Sequence, residues 1–216
     1  MLRRRSLLLA VFVGLLAPLA TVHGGDDKGF KPLFNGKDTT GWKFFLADKK
    51  ADPAKTFEVK DGEIQVTGFP NGYFYTDGSH KNYVLRFSWT YPKDQPKKTT
   101  MNSGCLLHIQ EPHKIWPKSV ESQGRYMDHG KFFFIGFGKE DKKEDHFDAA
   151  AQKKTIKASY EWNTTEITAK GDGSIEVKIN GAVVNSGKSD LTSGPIGFQS
   201  EGARIHFKDI MIKELK

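Results

Sequence analysis

The cleanest alternation of apolar and polar positions runs through residues 83–91. Tyr83, Leu85, Phe87, Trp89 and Tyr91 fall on one side of an extended chain; Val84, Arg86, Ser88 and Thr90 fall on the other. A period of two sustained this long predicts a strand with one buried face, and its regularity makes the aromatic stripe core rather than sugar platform. Shorter runs repeat the pattern. Phe57-Glu58-Val59 and Ile64-Gln65-Val66 flank Asp61-Gly62, and Ile175, Val177 and Ile179 lead into Asn180-Gly181 before Val183 and Val184 return. Both are hairpin signals, because Asp-Gly and Asn-Gly accept the positive φ angles of a tight turn. In the last run Ile205 and Phe207 share a face, and Ile210 and Ile212 then slip by one residue, which predicts a bulge at Lys208-Asp209.

Residues 43–55 are mixed and charged and read as a loop. Residues 147–152, with Ala149, Ala150 and Ala151, carry a weak helical signal. Roughly ten to thirteen short strands, with turn residues between them and little helix, predict an all-β antiparallel sandwich. No repeat or linker divides it, and 216 residues suffice for one sizeable core.

The N-terminus breaks the pattern. Arg3, Arg4 and Arg5 precede an apolar run from Leu7 to Ala20, with small residues at Ala20 and Gly24. This predicts an export signal over residues 1–24, and hence a periplasmic or extracellular protein. The run is short for a membrane anchor and holds Gly14 and Pro18. Removing its three arginines lowers the formal charge from +7 to +4, and the remaining lysines are scattered in loops beside acids. That is no nucleic-acid stripe. Cys105 is the only cysteine, so no internal disulfide supports the fold.

Candidate chemistry concentrates in residues 101–130. Strand parity divides this stretch. Cys105, Leu107, Ile109 and Val120 take the core side, while Asn102, His108, Glu121 and Gln123 take the other. If the two strands are neighbours, a carboxylate, an imidazole and two amides converge on one open face, a usable acid/base set with groups to orient hydroxyls. Trp116, before Pro117, either stacks on a sugar ring or plugs the end of the sandwich. His108, His113, Glu121, Asp128, His129, His146 and Asp148 could ligate a divalent metal, but no spacing matches a known zinc or calcium loop.

These residues also carry a resemblance. Phe30-Lys31-Pro32-Leu33-Phe34-Asn35-Gly36-Lys37-Asp38 with Gly41-Trp42, then Asn102-Ser103-Gly104, Trp116-Pro117, Glu121-Ser122-Gln123, Trp162-Asn163 and Asn180-Gly181 follow one another in order. Gly194-Pro195-Ile196-Gly197-Phe198-Gln199-Ser200-Glu201-Gly202 and Ile205-His206-Phe207-Lys208-Asp209-Ile210 close the series. Over residues 29–215 the chain resembles the 3-keto-disaccharide hydrolase domain family, with Lys208 where an arginine is common. The resemblance implies a concanavalin A-like jelly roll that cleaves 3-keto-glycosides by elimination and hydration, or a carbohydrate-binding module of the same fold. For the implied reaction, Glu121 or His108 is the candidate base. Arg204, Arg125 or a divalent metal is the candidate electrophile. Gln123, Gln199 and Asn102 are the candidate hydroxyl-orienting amides. A two-carboxylate glycosidase fits poorly, because Gln123 occupies the position next to Glu121 on its strand face.

Overall fold

The structure, a computed structural model, describes residues 28–95 and 100–216. The expected export signal lies outside the described residues. The strands are β1 (Lys31–Pro32), β2 (Trp42–Leu46), β3 (Phe57–Lys60), β4 (Glu63–Val66) and β5 (Gly72–Thr76). Then come β6 (Tyr83–Thr90), β7 (Gly104–Leu107), β8 (Ser119–Gln123), β9 (Phe132–Ile135) and β10 (Lys143–Asp145). The last five are β11 (Asn163–Ala169), β12 (Ser174–Ile179), β13 (Ala182–Ser189), β14 (Gly197–Ser200) and β15 (Ile205–Glu214). Helix α1 (Pro53–Thr56) starts on an Asp52 cap, with Asp52 Oδ1 accepting from Ala54 N at 3.0 Å, and α2 (Ala149–Thr155) starts on Asp148 in the same way.

The strands form two antiparallel sheets. One has the order β10-β13-β12-β11-β6-β15-β4-β3, with β1 paired to β15. The other has the order β2-β5-β14-β7-β8-β9. The expected β-sandwich is present. So are both tight hairpins: Asp61 and Asn180 have φ of 54° and 49°. The bulge falls where the phase slip placed it, with Asp209 at φ 52° and the β6 register broken between Lys208 and Met211. The stretch read as a loop from residue 43 differs. Trp42, Phe44 and Leu46 face the core, and the adjacent Phe44-Phe45 pair masked a period of two.

Phenylalanines weld the sheets together. The Phe198 ring lies 5.2 Å from Phe74 in its own sheet and 4.9 Å from both Phe87 and Phe207 in the other. Such pairs contribute about 0.5–1.5 kcal/mol beyond area burial, so this cluster fixes the sheets face to face. A hydrogen-bonded post stands beside it. His129 stacks on Trp89 at 4.2 Å. Thr165 Oγ1 accepts from Trp89 Nε1 at 2.9 Å and meets His129 Nε2 at 2.9 Å. Gly124 O accepts from Tyr91 OH at 2.9 Å and from His129 Nδ1 at 3.2 Å. Every polar atom named here has a partner, and burial holds the His129 imidazole neutral, its pKa lowered to about 4.

Candidate active site

The outer face of the six-stranded sheet is where the core pattern turns inside out. Core-facing Phe74, Phe198, Cys105 and Val120 alternate with Tyr73, Gln199, Gly104 and Glu121 on the other side. Register sets the neighbours. Gln199 opposes Tyr73, Gly104 opposes Gln123, and Leu106 opposes Glu121. A Cβ placed on Gly104 would collide with Gln199 Oε1 and Glu121 Oε1. Only a residue without a side chain therefore lets these two groups meet above the sheet.

Glu121 is 6% exposed. Burial raises its pKa to about 8. Glu201 and Asp128 push the same way, while the Gln199 amide and Arg125 pull it back. Glu201 is half-buried, and burial raises its own carboxyl. Gln199 is buried and its Oε1 has no hydrogen-bond partner; the enclosed Asn102 Oδ1 has none either. Buried acceptors without donors are uncommon in folded proteins, and each suits a ligand hydroxyl.

Two loops flank the acid. In the loop after β8, Gln123 Oε1 accepts from Arg125 N at 2.7 Å, and Arg125 grips Asp128 through two bonds of 2.7 and 2.6 Å. His129, the inward end of this loop, roots it in the buried post. The other loop, residues 108–118, carries His113. Tyr73 OH meets His113 Nδ1 at 2.7 Å, and the imidazole lies 4.4 Å from the Tyr75 ring. With Phe45, whose ring is 5.5 Å from Tyr73, these residues build an aromatic wall on β2 and β5.

The structure brings Glu121, Gln123, Gln199, Asn102 and Arg125 into one region, as strand parity and the chain motifs suggested for most of them. It does not bring His108 there. His108 has φ of 55°, just past the end of β7, and that left-handed residue inverts the phase of everything after it. Its ring is buried, with Nδ1 donating to Leu191 O at 2.8 Å and Nε2 near Tyr83 OH at 3.3 Å. Burial lowers its pKa to about 4. Ile109, read as core, instead joins Tyr73 and Leu106 in a small cluster on the outer face. Arg204 precedes β15 in the other sheet and pairs with Asp94 at 2.9 Å; Arg125 is the guanidinium that Glu121 feels. Trp116 is half-buried in its loop. Cys105 is core, as its parity indicated, and burial raises its thiol.

The sequence reading missed three contributors: Glu201, the aromatic wall and Gly104. Glu201 shares the parity of Gln199, a readable signal. The wall needed knowledge that β2 and β5 are neighbours. Grooves of about 340 Å³ beside Glu144, Glu176 and Lys188, and 240 Å³ beside Phe44, Phe57 and Val59, lie away from these residues. Among the described residues, no group of three or more His, Cys, Asp or Glu side chains is clustered as a metal site.

The family model for the 3-keto-alpha-glucoside-1,2-lyase-like domain matches residues 29–213. The chain belongs to this family. Among curated proteins, none matches significantly. Similar solved structures share the lyase-like domain's jelly-roll architecture. A protein from Parabacteroides distasonis, provisionally designated a glycosyl hydrolase, has a TM-score of 0.62 at 24% identity, covering 87% of this chain and 94% of that one. The Bacillus licheniformis β-glucanase has a TM-score of 0.56 at 10% identity, covering 87% and 97%. The carbohydrate binding module CBM66 from Bacillus subtilis has a TM-score of 0.54 at 14% identity, covering 82% and 98%. No helix among the described residues of this lyase-like domain is long and apolar enough to cross a membrane.

Proposed function

We propose that the protein cleaves 3-keto-glycosides on the outer face of its six-stranded sheet, with Glu121 as the acid/base group. The observation that carries this reading is the meeting of Glu121 and Gln199 over Gly104, beside two enclosed amide oxygens, of Asn102 and Gln199, that accept no hydrogen bond. The chemistry follows from the ketone. A C3 carbonyl acidifies the C2 hydrogen, and the Glu121 carboxylate takes that proton. The C–H electron pair moves into a C2=C3 enolate, whose oxygen is stabilised by Arg125 and the amide N–H groups. The carbonyl re-forms, C1=C2 forms, and the C1–O bond breaks. The departing oxygen takes a proton from Glu121 or Glu201, and addition of water across C1=C2 completes a net hydrolysis. A carboxyl raised to about 8 suits both directions of transfer near neutrality. The predicted leader supports a protein acting outside the cytoplasm.

Incubation of purified protein with a 3-keto-disaccharide tests this. Sugar release should rise with pH up to about 8 as Glu121 ionises, and Glu121→Gln should lower it by about 10²–10⁴. Absence of release by the wild type, with or without added divalent metal, overturns the reading.

A carbohydrate-binding module is the second reading, favoured by the partly exposed rings of Phe45, Tyr75 and His113 around the buried Tyr73. In that case Glu121→Gln keeps most of the affinity for the glycoside.

A further inference from the structure

Glu121 has one cross-strand neighbour on each side along the outer face, and the fold treats the two in opposite ways. Leu106 on β7 is fully buried, packed with Ile109 and Tyr73. Phe133 on β9 is 40% exposed. A ligand that touches the acid along this row therefore lies on the β9 side. Directly opposed residues on antiparallel strands have Cβ atoms about 4.5–5.5 Å apart, so the Phe133 side chain starts one strand spacing from Glu121. Tyr75 is three strands away, across β14 and β7, or about 14 Å. The strand beneath Phe133 is fixed. Phe132 is buried, and the Phe134 ring lies 6.3 Å from it and 5.2 Å from Phe137. Asp145 Oδ1, on β10 of the other sheet, accepts from Phe132 N at 3.2 Å. Single exposed aromatic rings are ordinary on protein surfaces; this one is set apart by its place beside the buried acid.

We propose that Phe133 is the stacking platform of the leaving-group subsite, and that it favours glycosides whose departing group is a ring over those that release a small alcohol. The inference rests on the reading proposed above, because the acid divides the face into two flanks. Glu121 Oε1 and Gln199 Oε1 both lean over Gly104, on the β7 side. The open Gln199 acceptor thus lies on one flank of the carboxyl, and Phe133 lies on the other. The keto ring, whose hydroxyls need such a partner, takes the Gly104 flank. The bond that breaks lies within reach of Glu121, so the group leaving from it extends over β9. Phe133 offers that group a ring face without a polar tip. The chemistry it selects is a flat apolar face, which a pyranose presents through its C–H groups and an aryl ring through its π-system.

The test uses three 3-keto substrates, a 3-keto-disaccharide, a phenyl 3-keto-α-glucoside and a methyl 3-keto-α-glucoside. Phe133→Ala should lower kcat/KM for the two ring-bearing leaving groups by about three- to tenfold, and for the methyl glycoside by less than about twofold. Phe133→Tyr should keep the wild-type values. A loss confined to the disaccharide or to the phenyl glycoside upholds the platform and tells which ring it takes. An equal loss on all three substrates, or no loss on either ring-bearing one, overturns the inference. Binding of the unoxidised disaccharide, phenyl α-glucoside and methyl α-glucoside separates this from the proposed reaction. If the wild type turns over none of the keto substrates while Phe133→Ala weakens a ring-bearing probe and spares the methyl glucoside, the platform stands and the reaction falls. If binding of all three probes is also unchanged, the platform falls with it.

Discussion

The two outer faces of the sandwich are built from the same alternation and resolve it in opposite ways. On the nine-stranded sheet the outward residues neutralise one another. Lys178 reaches Glu166 and Glu176 at 3.6 and 3.4 Å, His206 meets Glu63 at 2.9 Å, and Lys208 lies 4.1 Å over the Trp162 ring. These groups are partly solvated, and their pairings add little stability. On the six-stranded sheet the outward acid is buried, its neighbour Glu201 is also an acid, and two amide oxygens face no donor. A face that solves its electrostatics internally has nothing left for a ligand. The six-stranded face is unfinished without one.

The comparison breaks most visibly at Gly104. Gly104→Ala pushes against the flexible ends of Glu121 and Gln199, so the fold should survive while their meeting does not. Turnover of a 3-keto-glycoside should fall by at least about a hundredfold, with a near-native circular dichroism spectrum. Substituting the acid sharpens the contrast next. The Glu121 pKa is raised above its unfolded value, so its burial costs nothing below about pH 4.5, costs more as pH rises, and costs most above about pH 8. Glu121→Gln should therefore stabilise the protein, by on the order of 3 kcal/mol at pH 7, and the gain in Tm should vanish at pH 4. A variant no more stable at pH 8 than at pH 4 would show that the carboxyl is not confined as described.

Acid titration probes the interior that both faces share. His108 and His129 both have pKa values lowered to about 4, below the ordinary 6.5. The stability that their neutral forms provide is whole above about pH 6.5, and it is lost as pH falls toward 4. Each should cost on the order of 3 kcal/mol by that point. Denaturant midpoints measured from pH 7 to 4 should fall steeply, and Thr165→Val should lower the unfolding free energy at pH 7 by about 1–3 kcal/mol through the unpaired groups it leaves. The smallest effect belongs to the nine-stranded face. Lys178→Ala should change stability by less than about 0.5 kcal/mol and leave turnover as it was.

Much of this was legible in the chain. Hairpins at Asp61-Gly62 and Asn180-Gly181, the bulge at Asp209 and the aromatic stripe of β6 all follow from local rules, because turn geometry and a period of two are local. Glu121, Gln123 and the placement of Cys105 and Val120 followed from parity. His108 and Ile109 did not, because parity assumes an extended chain and one left-handed residue reverses it. Tyr73 and Tyr75 join the site through pairing between strands distant in sequence, which no window along the chain contains, whereas Glu201 was readable from the parity it shares with Gln199. Gly104 stands in the sequence only as the end of the Asn102-Ser103-Gly104 motif, yet its role is set by what stands above it.

The buried post of Trp89, Thr165, His129 and Gly124 has a consequence for how such a protein can change. The loop that holds Arg125 and Asp128 shares its root with β6 and β11, so it is not a free module. Grafting residues 124–130 from a relative without its Thr165 and Trp89 counterparts would deliver a loop with no footing. Diversification of this rim should proceed by exchanging outward tips such as Met127, which is 77% exposed, while the inward roots travel together as a single inherited block.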